Sequence, residues 1–270
     1  MSTATRPRPA SNAKEDRHFV TALARGLDLL SCFRARDRVL SNQELAKRSG
    51  LPKSTISRLT YTLTKIGYLE PAELSEGPGY RLGSAVLALG SAVLGRMDMR
   101  SIARPLMQEL ADRSHAMVSL GMRDRQSMIY LENCRSDAAL TLSLDIGSRI
   151  PVFTTAMGRA YLAVCPPDER DELVKRTALK PGGASQADLA KQAQAAVDEY
   201  RKLGCCTSFG GWQKDVNAVA IAVRPQTGRA VMAINCGGPS FTLNRSFLLH
   251  EVRPMLLQLG QQLQALGAVK

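Results

Sequence analysis

The first regular pattern in the chain is a pair of short amphipathic helices between Ser41 and Leu69. Ser41 is followed three residues later by Glu44, which is the spacing of a capping box at the start of a helix. Gly50 supplies a residue that adopts the left-handed conformation where a helix ends, and Pro52 suits the first turn of a second helix. Two helices joined by a glycine turn at this spacing indicate a helix-turn-helix.

The second helix has one apolar face and one basic face rich in hydroxyl groups. Its predicted buried stripe is Ile56, Leu59, Leu63 and Ile66. No carboxylate occurs between Lys53 and Leu69, whereas a merely solvated helix mixes both signs of charge. Cations and hydroxyls contact phosphates and base edges, so we predict DNA contacts from Lys53, Ser54, Thr55, Ser57, Arg58, Tyr61 and Thr62. The alternative is a basic helical hairpin that packs on another domain.

The flanking segments complete a winged helix. Upstream, apolar residues predict a first helix that covers the hairpin: Phe19, Leu23, Leu27, Leu30 and Phe33. Downstream, the segment GYLEPAELSEGPGYRLG predicts a strand, a turn at residues 77–79 and a return strand. A β-hairpin directly after a recognition helix is a wing, and Arg81 is placed to contact the DNA backbone.

A very apolar helix is predicted next, over residues 84–98. Its stripe consists of Val86, Leu89, Val93 and Met97. The apolar run is too short and too rich in Gly and Ser to cross a membrane. It is either a core helix or a linker that pairs with its copy in a second chain. We favour the linker, because paired half-sites on DNA require two recognition helices.

From Ser101 the pattern predicts an α+β domain. It contains a helix from residue 101, a β-hairpin that turns at 123–126, a strand and loop over 137–152, and a helix within TTAMGRAYLAV that begins at a Thr cap. Helices follow at 167–177 and 186–203, strands at 217–223 and 229–236, and a last helix at about 244–266. Such a pattern favours an antiparallel sheet flanked by helices.

Charge and composition agree with a protein of two modules that binds a polyanion. The 270-residue chain has a formal net charge of +12, and residues 1–83 hold 14 Lys and Arg against 8 Asp and Glu. Residues 1–17 are polar and lack the apolar segment of a signal peptide, so we predict a disordered arm. The six cysteines form no CxxC pair and suit a reducing cytoplasm.

Little in the sequence indicates an enzyme. The three histidines are widely separated, and no GxSxG, HExxH, P-loop or GxGxxG motif occurs. The Cys205–Cys206 pair has no neighbouring group that would activate a thiol. We therefore predict no catalytic residue, no cofactor and no metal. The alternatives are a ligand-binding domain with residual enzymatic activity and a non-specific architectural DNA-binding protein, although the latter does not need a large C-terminal domain.

Six motifs in this order resemble the IclR family of transcriptional regulators: LARGLDLLSCF, ELAKRSGLPKSTISRLTYTLTKIGYL, YRLGSAVLALG, RSIARPLMQEL, PVFTTAMGRAYLA and VNAVAIAVRPQTGRAVMAINCGGP. The resemblance runs from about His18 to the C-terminus. It implies a winged-helix domain (18–83), a linker helix (84–98) and a GAF-like effector domain (99–270) that assembles into dimers or tetramers. The opening DRHFVTALARGLDLL is also similar to the subfamily that controls β-ketoadipate and related aromatic-acid catabolism.

The resemblance also implies partners and an effector pocket. The partners are a double-stranded DNA operator, a small-molecule effector, further copies of the chain and, as a candidate, RNA polymerase; no membrane is implied. The pocket residues carried over are Thr155, Ala156, Met157, Gly158, Ser208, Ala220, Ala222 and Ile234. The segment at 208–212 reads SFGGW where relatives often carry an acid, so Trp212 or Phe209 is expected to shape the cavity instead.

The chemistry of this region predicts a carboxylate ligand. A buried carboxylate needs donors or a cation, and the helix that begins in TTAMGR offers free N–H groups and hydroxyls of Thr154 and Thr155. Arg149 or Arg159 is the expected cation, and Gly158 is expected to allow close approach of the ligand. Alternatively, both arginines are solvated and the small residues are ordinary core.

Overall fold

The computed structural model describes residues 18–34, 37–74, 77–95, 98–137, 144–225 and 230–266. The chain divides into two compact units, residues 1–96 and 97–270. Three predictions lie outside the described residues: the arm at 1–17, Met97 of the apolar stripe, and the first part of the strand and loop at 137–152.

The first unit is a winged helix-turn-helix. Its elements are α1 (Thr21–Leu30), β1 (Leu40–Ser41), α2 (Asn42–Ser49), α3 (Lys53–Lys65), β2 (Leu69–Leu74), β3 (Gly77–Leu82) and α4 (Ser84–Leu94). The strands form an antiparallel sheet in the order β1-β3-β2. The two-residue strand β1 was not foreseen. Residues 77–79, predicted to be the turn of the wing, instead form the start of β3 and pair with β2.

The start and end of α2 match the sequence prediction. The Ser41 hydroxyl accepts a hydrogen bond from the backbone N–H of Glu44, and the Glu44 carboxylate accepts one from the backbone N–H of Ser41. Gly50 ends the helix at φ 69°, in the left-handed region that favours glycine. The capping box therefore fixes where α2 begins, and the left-handed glycine ends α2 at the turn that leads into α3.

Two predicted buried stripes need correction. Phe19, Leu23 and Leu27 are 59%, 61% and 53% exposed, whereas Leu30 and Phe33 pack on the core as predicted, together with Leu29, which was not predicted. Ile66 is also exposed, since α3 ends at Lys65 and the chain turns away at that point. The central core of the unit consists of Leu29, Leu40, Leu45, Ile56, Leu63 and Leu69.

An ion pair holds α2 against the loop that precedes β1. Both terminal guanidinium nitrogens of Arg48, Nη1 and Nη2, contact the carboxylate of Asp37, with Nη2 at 3.1 Å from Oδ1. The backbone N–H of Arg34 donates to Oδ2 at 2.8 Å. Burial alone raises the pKa of Asp37, but the hydrogen bonds from Arg48 and Arg34 outweigh it and hold that pKa below its usual 3.8. The ionised carboxylate is therefore the stabilising form.

We expect Asp37→Asn to lower the free energy of unfolding by about 1 kcal/mol near neutral pH, after allowance for solvent screening. The stabilisation by Asp37 is present above the unfolded-chain pKa of about 3.9 and is lost as the pH falls through the lower folded-state pKa. Urea unfolding from pH 7 to pH 2.5 measures the difference between wild type and variant. A difference that stays constant down to pH 2.5 contradicts this assignment.

The second unit is an α+β domain built on one six-stranded sheet. Its helices are α5 (Asp98–Ser114), α6 (Ala156–Val164), α7 (Pro167–Ala178), α8 (Gln186–Leu203), α9 (Arg245–Phe247) and α10 (Arg253–Ala265), with a π-helical turn at Leu248–Val252. Its strands are β4 (Met117–Asp124), β5 (Ser127–Arg135), β6 (Arg149–Pro151), β7 (Cys206–Phe209), β8 (Val216–Val223) and β9 (Met232–Pro239). They are antiparallel in the order β6-β5-β4-β9-β8-β7. The predicted α+β class is confirmed, and β7 was not foreseen as a strand.

Alternate residues of the strands face two different helical layers. On one side, which we call the α5 side, large residues such as Val118, Ile221 and Ile234 pack with α5 and α10. On the other, the α6 side, small residues such as Ala220 and Ala233 pack with α6, α7 and α8. The small residues on the α6 side allow the start of α6 to approach the sheet closely.

Candidate DNA-binding surface and effector cavity

The outer face of α3 is exposed and basic. Ile56, Thr60 and Leu63 point into the core, and the Thr60 hydroxyl donates to the carbonyl of Ile56 at 3.0 Å. The predicted DNA-contacting residues lie on the other face: Lys53, Ser54, Ser57, Arg58, Tyr61 and Thr62 are exposed, and Thr55 is half-buried. This face can therefore reach a groove without disturbing the core.

The cations of this face differ in their partners. Among the described residues, no carboxylate forms an ion pair with Lys53 or Arg58. Arg81 on the wing, by contrast, lies directly opposite Glu70, and its Nε is 2.8 Å from Oε2 of that carboxylate. Arg58 and Lys53 thus present uncompensated charge, while the charge of Arg81 is balanced within the wing.

A small cavity lies between the start of α6 and the sheet of the second unit. Its lining residues are Met117, Tyr130, Ile150, Thr155, Ala156, Met157, Ser208, Trp212, Val216, Ala218, Asn235 and Gly237. The cavity volume is about 20 Å³, which is room for about one water molecule. A ring-sized ligand therefore enters only if lining side chains or the loop that carries Trp212 move outward.

Four of the eight residues predicted for the pocket line this cavity: Thr155, Ala156, Met157 and Ser208. Ala220 and Ala222 are on the α6 side of β8 but do not line it. Ile234 was placed wrongly, because it is on the α5 side of β9 and its neighbour Asn235 faces the cavity. An error of one residue in the register of a strand exchanges the two faces.

Gly158 allows a close approach, but to the protein's own backbone. A Cβ atom at this position would lie 2.1 Å from the carbonyl oxygen of Val152 and 2.4 Å from its Cα. The first turn of α6 is therefore packed against the segment that follows β6. Packing against this backbone therefore accounts for a glycine at position 158 without any ligand.

The start of α6 is capped from within and still offers two donors. The Thr155 hydroxyl accepts from the N–H of Gly158 at 3.1 Å and donates to the carbonyl of Pro151 at 2.6 Å. Within the described part of the chain, no hydrogen bond engages the backbone N–H of Ala156 or Met157. Free N–H groups at a helix N-terminus bind anions, because they point along the positive end of the helix dipole.

The two arginines predicted to meet a carboxylate are engaged elsewhere. Arg149 pairs with Asp124, with Nη2 2.6 Å from Oδ2. Arg159 pairs with Glu199 at 2.8 Å and also donates to the carbonyl of Thr207. No charged side chain is among the cavity's lining residues. An anion in the cavity therefore depends on N–H groups and hydroxyls rather than on a cation.

Several lining residues were missed by sequence reasoning. Of the two residues expected to shape the cavity, Trp212 lines it, whereas Phe209 packs on the α5 side. Tyr130 and Asn235 come from strands far apart in the chain. The alternation of polar and apolar residues along each strand was the only sequence signal that their side chains face the cavity. Burial raises the pKa of Tyr130, and a hydrogen bond with Asn235 partly opposes that effect. The Tyr130 hydroxyl therefore stays protonated and serves as a neutral hydrogen-bonding group.

The described residues contain neither an activated cysteine at Cys205 nor a cluster of metal ligands. Cys205 and Cys206 are fully buried, and burial raises the pKa of Cys205 to about 11, so this thiol stays protonated. No group of three or more His, Cys, Asp or Glu side chains in the described ranges is arranged to hold a metal. No helix in those ranges is both long enough and apolar enough to span a bilayer.

A winged helix-turn-helix followed by an α+β domain with a cavity beside its sheet is an arrangement typical of DNA-binding proteins that respond to a ligand. The family model described as the IclR helix-turn-helix domain matches residues 22–73, and that described as the bacterial transcriptional regulator IclR C-terminal domain matches residues 91–265. The chain belongs to the IclR family of transcriptional regulators.

Individual relatives agree with this assignment. The HTH-type transcriptional regulator TsaQ1/TsaQ2 of Comamonas testosteroni is 35% identical over 92% of this chain and 88% of its own length. The crystal structure of an IclR family regulator from Brucella abortus is 40% identical, covers 96% of both chains and superposes with a TM-score of 0.80. An IclR homolog from Microbacterium hydrocarbonoxydans, solved in complex with 4-hydroxybenzoate, is 23% identical over 90% of this chain and 99% of its own, with a TM-score of 0.68.

Proposed function

We propose that this regulator docks α3 in the major groove of its operator and that residues 18–83 form the DNA-binding domain. The observation that carries this proposal is the exposed face of α3, where Arg58 and Lys53 lack ion-pair partners among the described residues. Such a face contacts phosphates and base edges. The proposal includes a cytoplasmic location, where the operator lies, and RNA polymerase as a candidate partner.

We further propose that a small aromatic carboxylate binds in the cavity and alters operator affinity. Apolar walls from Met117, Ile150 and Val216 suit a ring, while the free N–H groups of Ala156 and Met157 suit a carboxylate. The relative complexed with 4-hydroxybenzoate supports the choice of ligand class. The flexible thioether of Met157 and the half-buried Trp212 are the walls that we expect to move.

Titration with 4-hydroxybenzoate tests the effector proposal. Trp212 is the single tryptophan of the chain and lines the cavity, so we expect its fluorescence to change with ligand concentration and the melting temperature to rise. Ala218→Val narrows the cavity and should weaken binding about tenfold or more. Ala222→Val is the matched control, because Ala222 is on the same strand and side but does not line the cavity. Equal binding by both variants would place the ligand elsewhere.

We also propose that α1 and α4 form an interface between two copies of the chain. No residue of α4 is buried, and Leu87, Leu89 and Val93 are 72%, 54% and 56% exposed. Leu23 and Leu27 on α1, and Phe19 just before it, add further exposed apolar side chains in the same unit. Exposed apolar surface of this extent, contributed by two helices of the same unit, supports an interaction site. Pairing through these helices would supply two copies of α3 for two half-sites.

Sedimentation velocity tests this interface. The wild type should sediment as a dimer or tetramer at micromolar concentration, and a Leu89→Glu, Val93→Glu double variant should shift it towards monomer, because a charge in an apolar interface is costly. Gln192→Glu and Ala195→Glu add the same charge at exposed positions of α8 in the second unit and serve as the matched control. A wild-type monomer that still binds one half-site tightly is incompatible with the proposal.

A further inference from the structure

A row of three polar side chains crosses the sheet beside the cavity. Asn133 on β5 pairs directly with Ser119 on β4, which in turn pairs with Asn235 on β9. Their neighbours along the strands, such as Val118 and Cys236, pack on the α5 side. Because side chains alternate along a strand, the row lies on the α6 side, where the cavity is.

Each member of the row has a buried polar atom without a protein hydrogen-bond partner. In this row, the atoms without a partner among the described residues are Ser119 Oγ, Asn133 Oδ1 and Asn235 Oδ1. Ser119 is fully buried, and Asn235 is 5% exposed. The amide nitrogen of Asn133 donates to the carbonyl of Leu144 at 2.9 Å, so its oxygen is the unpaired end. Buried polar groups nearly always have partners, and three adjacent exceptions call for a specific cause.

The row adjoins the cavity through Asn235, which lines it. Ser119 is flanked along β4 by Met117, another lining residue, and by Gly121. The sulfur of Met157 lies over Gly121, only 2.5 Å from where a Cβ atom would be. Methionine is the most adaptable of the large apolar side chains, so displacement of Met157 would open the cavity towards Ser119.

We infer that this row forms the end of the effector site that recognises hydrogen-bond donors on the ligand. The inference rests on the proposed function, because it assumes that the cavity is the effector site. Two of the three unpaired atoms are amide oxygens, which accept hydrogen bonds and repel a carboxylate. The carboxylate therefore binds at the start of α6, and the opposite end of the ligand carries a hydroxyl group. The ligand class is a hydroxy-substituted aromatic acid rather than an unsubstituted one.

The physical reason for discrimination is the cost of an unpaired buried group. A ligand hydroxyl satisfies an oxygen of the row, whereas a hydrogen at the same ring position leaves it unsatisfied. Sites built in this way reject an analogue that lacks the hydroxyl far more strongly than apolar pockets reject a missing methylene. The row thus acts as a specificity determinant.

Calorimetric titration of the full chain with 4-hydroxybenzoate and with benzoate tests the inference. Wild type should bind 4-hydroxybenzoate at least tenfold more tightly than benzoate, and Asn235→Leu and Ser119→Ala should bring that ratio close to one. Ser114→Ala is the matched control, since Ser114 is also buried but its hydroxyl donates to the carbonyl of Leu110 at 2.7 Å. Its ratio should equal that of the wild type. A wild-type ratio near one, or a ratio unchanged in both row variants, overturns the inference.

Thermal melting of the ligand-free proteins separates this inference from the effector proposal. If the row is reserved for ligand, Ser119→Ala removes an unpaired group and should melt at or above the wild-type temperature, whereas Ser114→Ala should melt below it. If Ser119→Ala melts clearly below wild type, the row is satisfied internally and the inference is wrong. Failure of the wild type to bind either acid contradicts the proposed effector class, and the melting result then decides the role of the row.

Discussion

Replacement of Arg58 by alanine is expected to weaken operator binding by about 1–3 kcal/mol, or roughly 5- to 150-fold, if its guanidinium contacts a base edge. Arg58 has no ion-pair partner among the described residues, so its full charge is available to DNA. The operator is first selected from random-sequence DNA with the wild-type protein, and affinities are then measured at several salt concentrations. If Arg58 contacts a base, the variant should lose sequence specificity; if it contacts a phosphate, the variant should bind all sequences more weakly and with a smaller dependence on salt.

Arg81→Ala is the matched control on the wing. Glu70 balances the charge of Arg81 at 2.8 Å, so Arg81→Ala should reduce operator affinity less than Arg58→Ala does. Ile56→Ala gives a second comparison, because Ile56 is fully buried and its truncation should reduce stability before specificity. Unchanged operator affinity in both Arg58→Ala and Lys53→Ala would exclude this face of α3 as the recognition surface.

Gly158→Ala is expected to destabilise the second unit by about 3 kcal/mol or more, because a buried methyl group with no room forces the backbone to shift. The added Cβ atom would overlap the backbone of Val152, at 2.1 Å from its oxygen, and backbone cannot rotate away as a side chain can. For a unit of this size the melting temperature should fall by about 6–12 °C. Differential scanning calorimetry of the full chain measures that change.

The matched control is Gly26→Ala in α1. A Cβ atom at Gly26 would lie 3.9 Å from a methyl group of Leu59, an ordinary contact, and alanine is the better helix former. Gly26→Ala should leave the melting of the second unit unchanged. If Gly158→Ala melts like wild type, α6 does not pack on Val152 as described. A larger residue at Gly158 therefore reports on folding and is a poor probe of ligand binding.

The parts that sequence predicts well are those determined by neighbouring residues. The capping box at Ser41, the left-handed Gly50 and the Thr155 cap of α6 each depend on groups within four positions of one another. Local hydrogen bonding decides these features, so the same residues form them whatever packs around them. The basic face of α3 was foreseen for the same reason, since helical spacing alone separates it from Ile56 and Leu63.

The parts that sequence predicts poorly depend on partners distant in the chain. Arg149 pairs with Asp124 and Arg159 with Glu199, and no residue near either arginine in the sequence indicates these ion pairs. The apolar stripe of α1 shows amphipathicity but does not reveal whether its own unit or another surface covers it. The placement of Ile234 failed because a strand of alternately large and small apolar residues, buried on both sides, gives no signal for which face meets α6.

The small volume of the cavity has a consequence for apparent binding affinity. A ligand larger than water binds only to molecules in which the cavity has opened, so the apparent dissociation constant is the intrinsic one divided by the open fraction. An open state populated at about 1% weakens apparent affinity about 100-fold. Substitutions that favour opening would thus make the regulator respond at lower effector concentration without any new contact to the ligand. Sensitivity to the signal and chemical selectivity for it can therefore change independently in this fold.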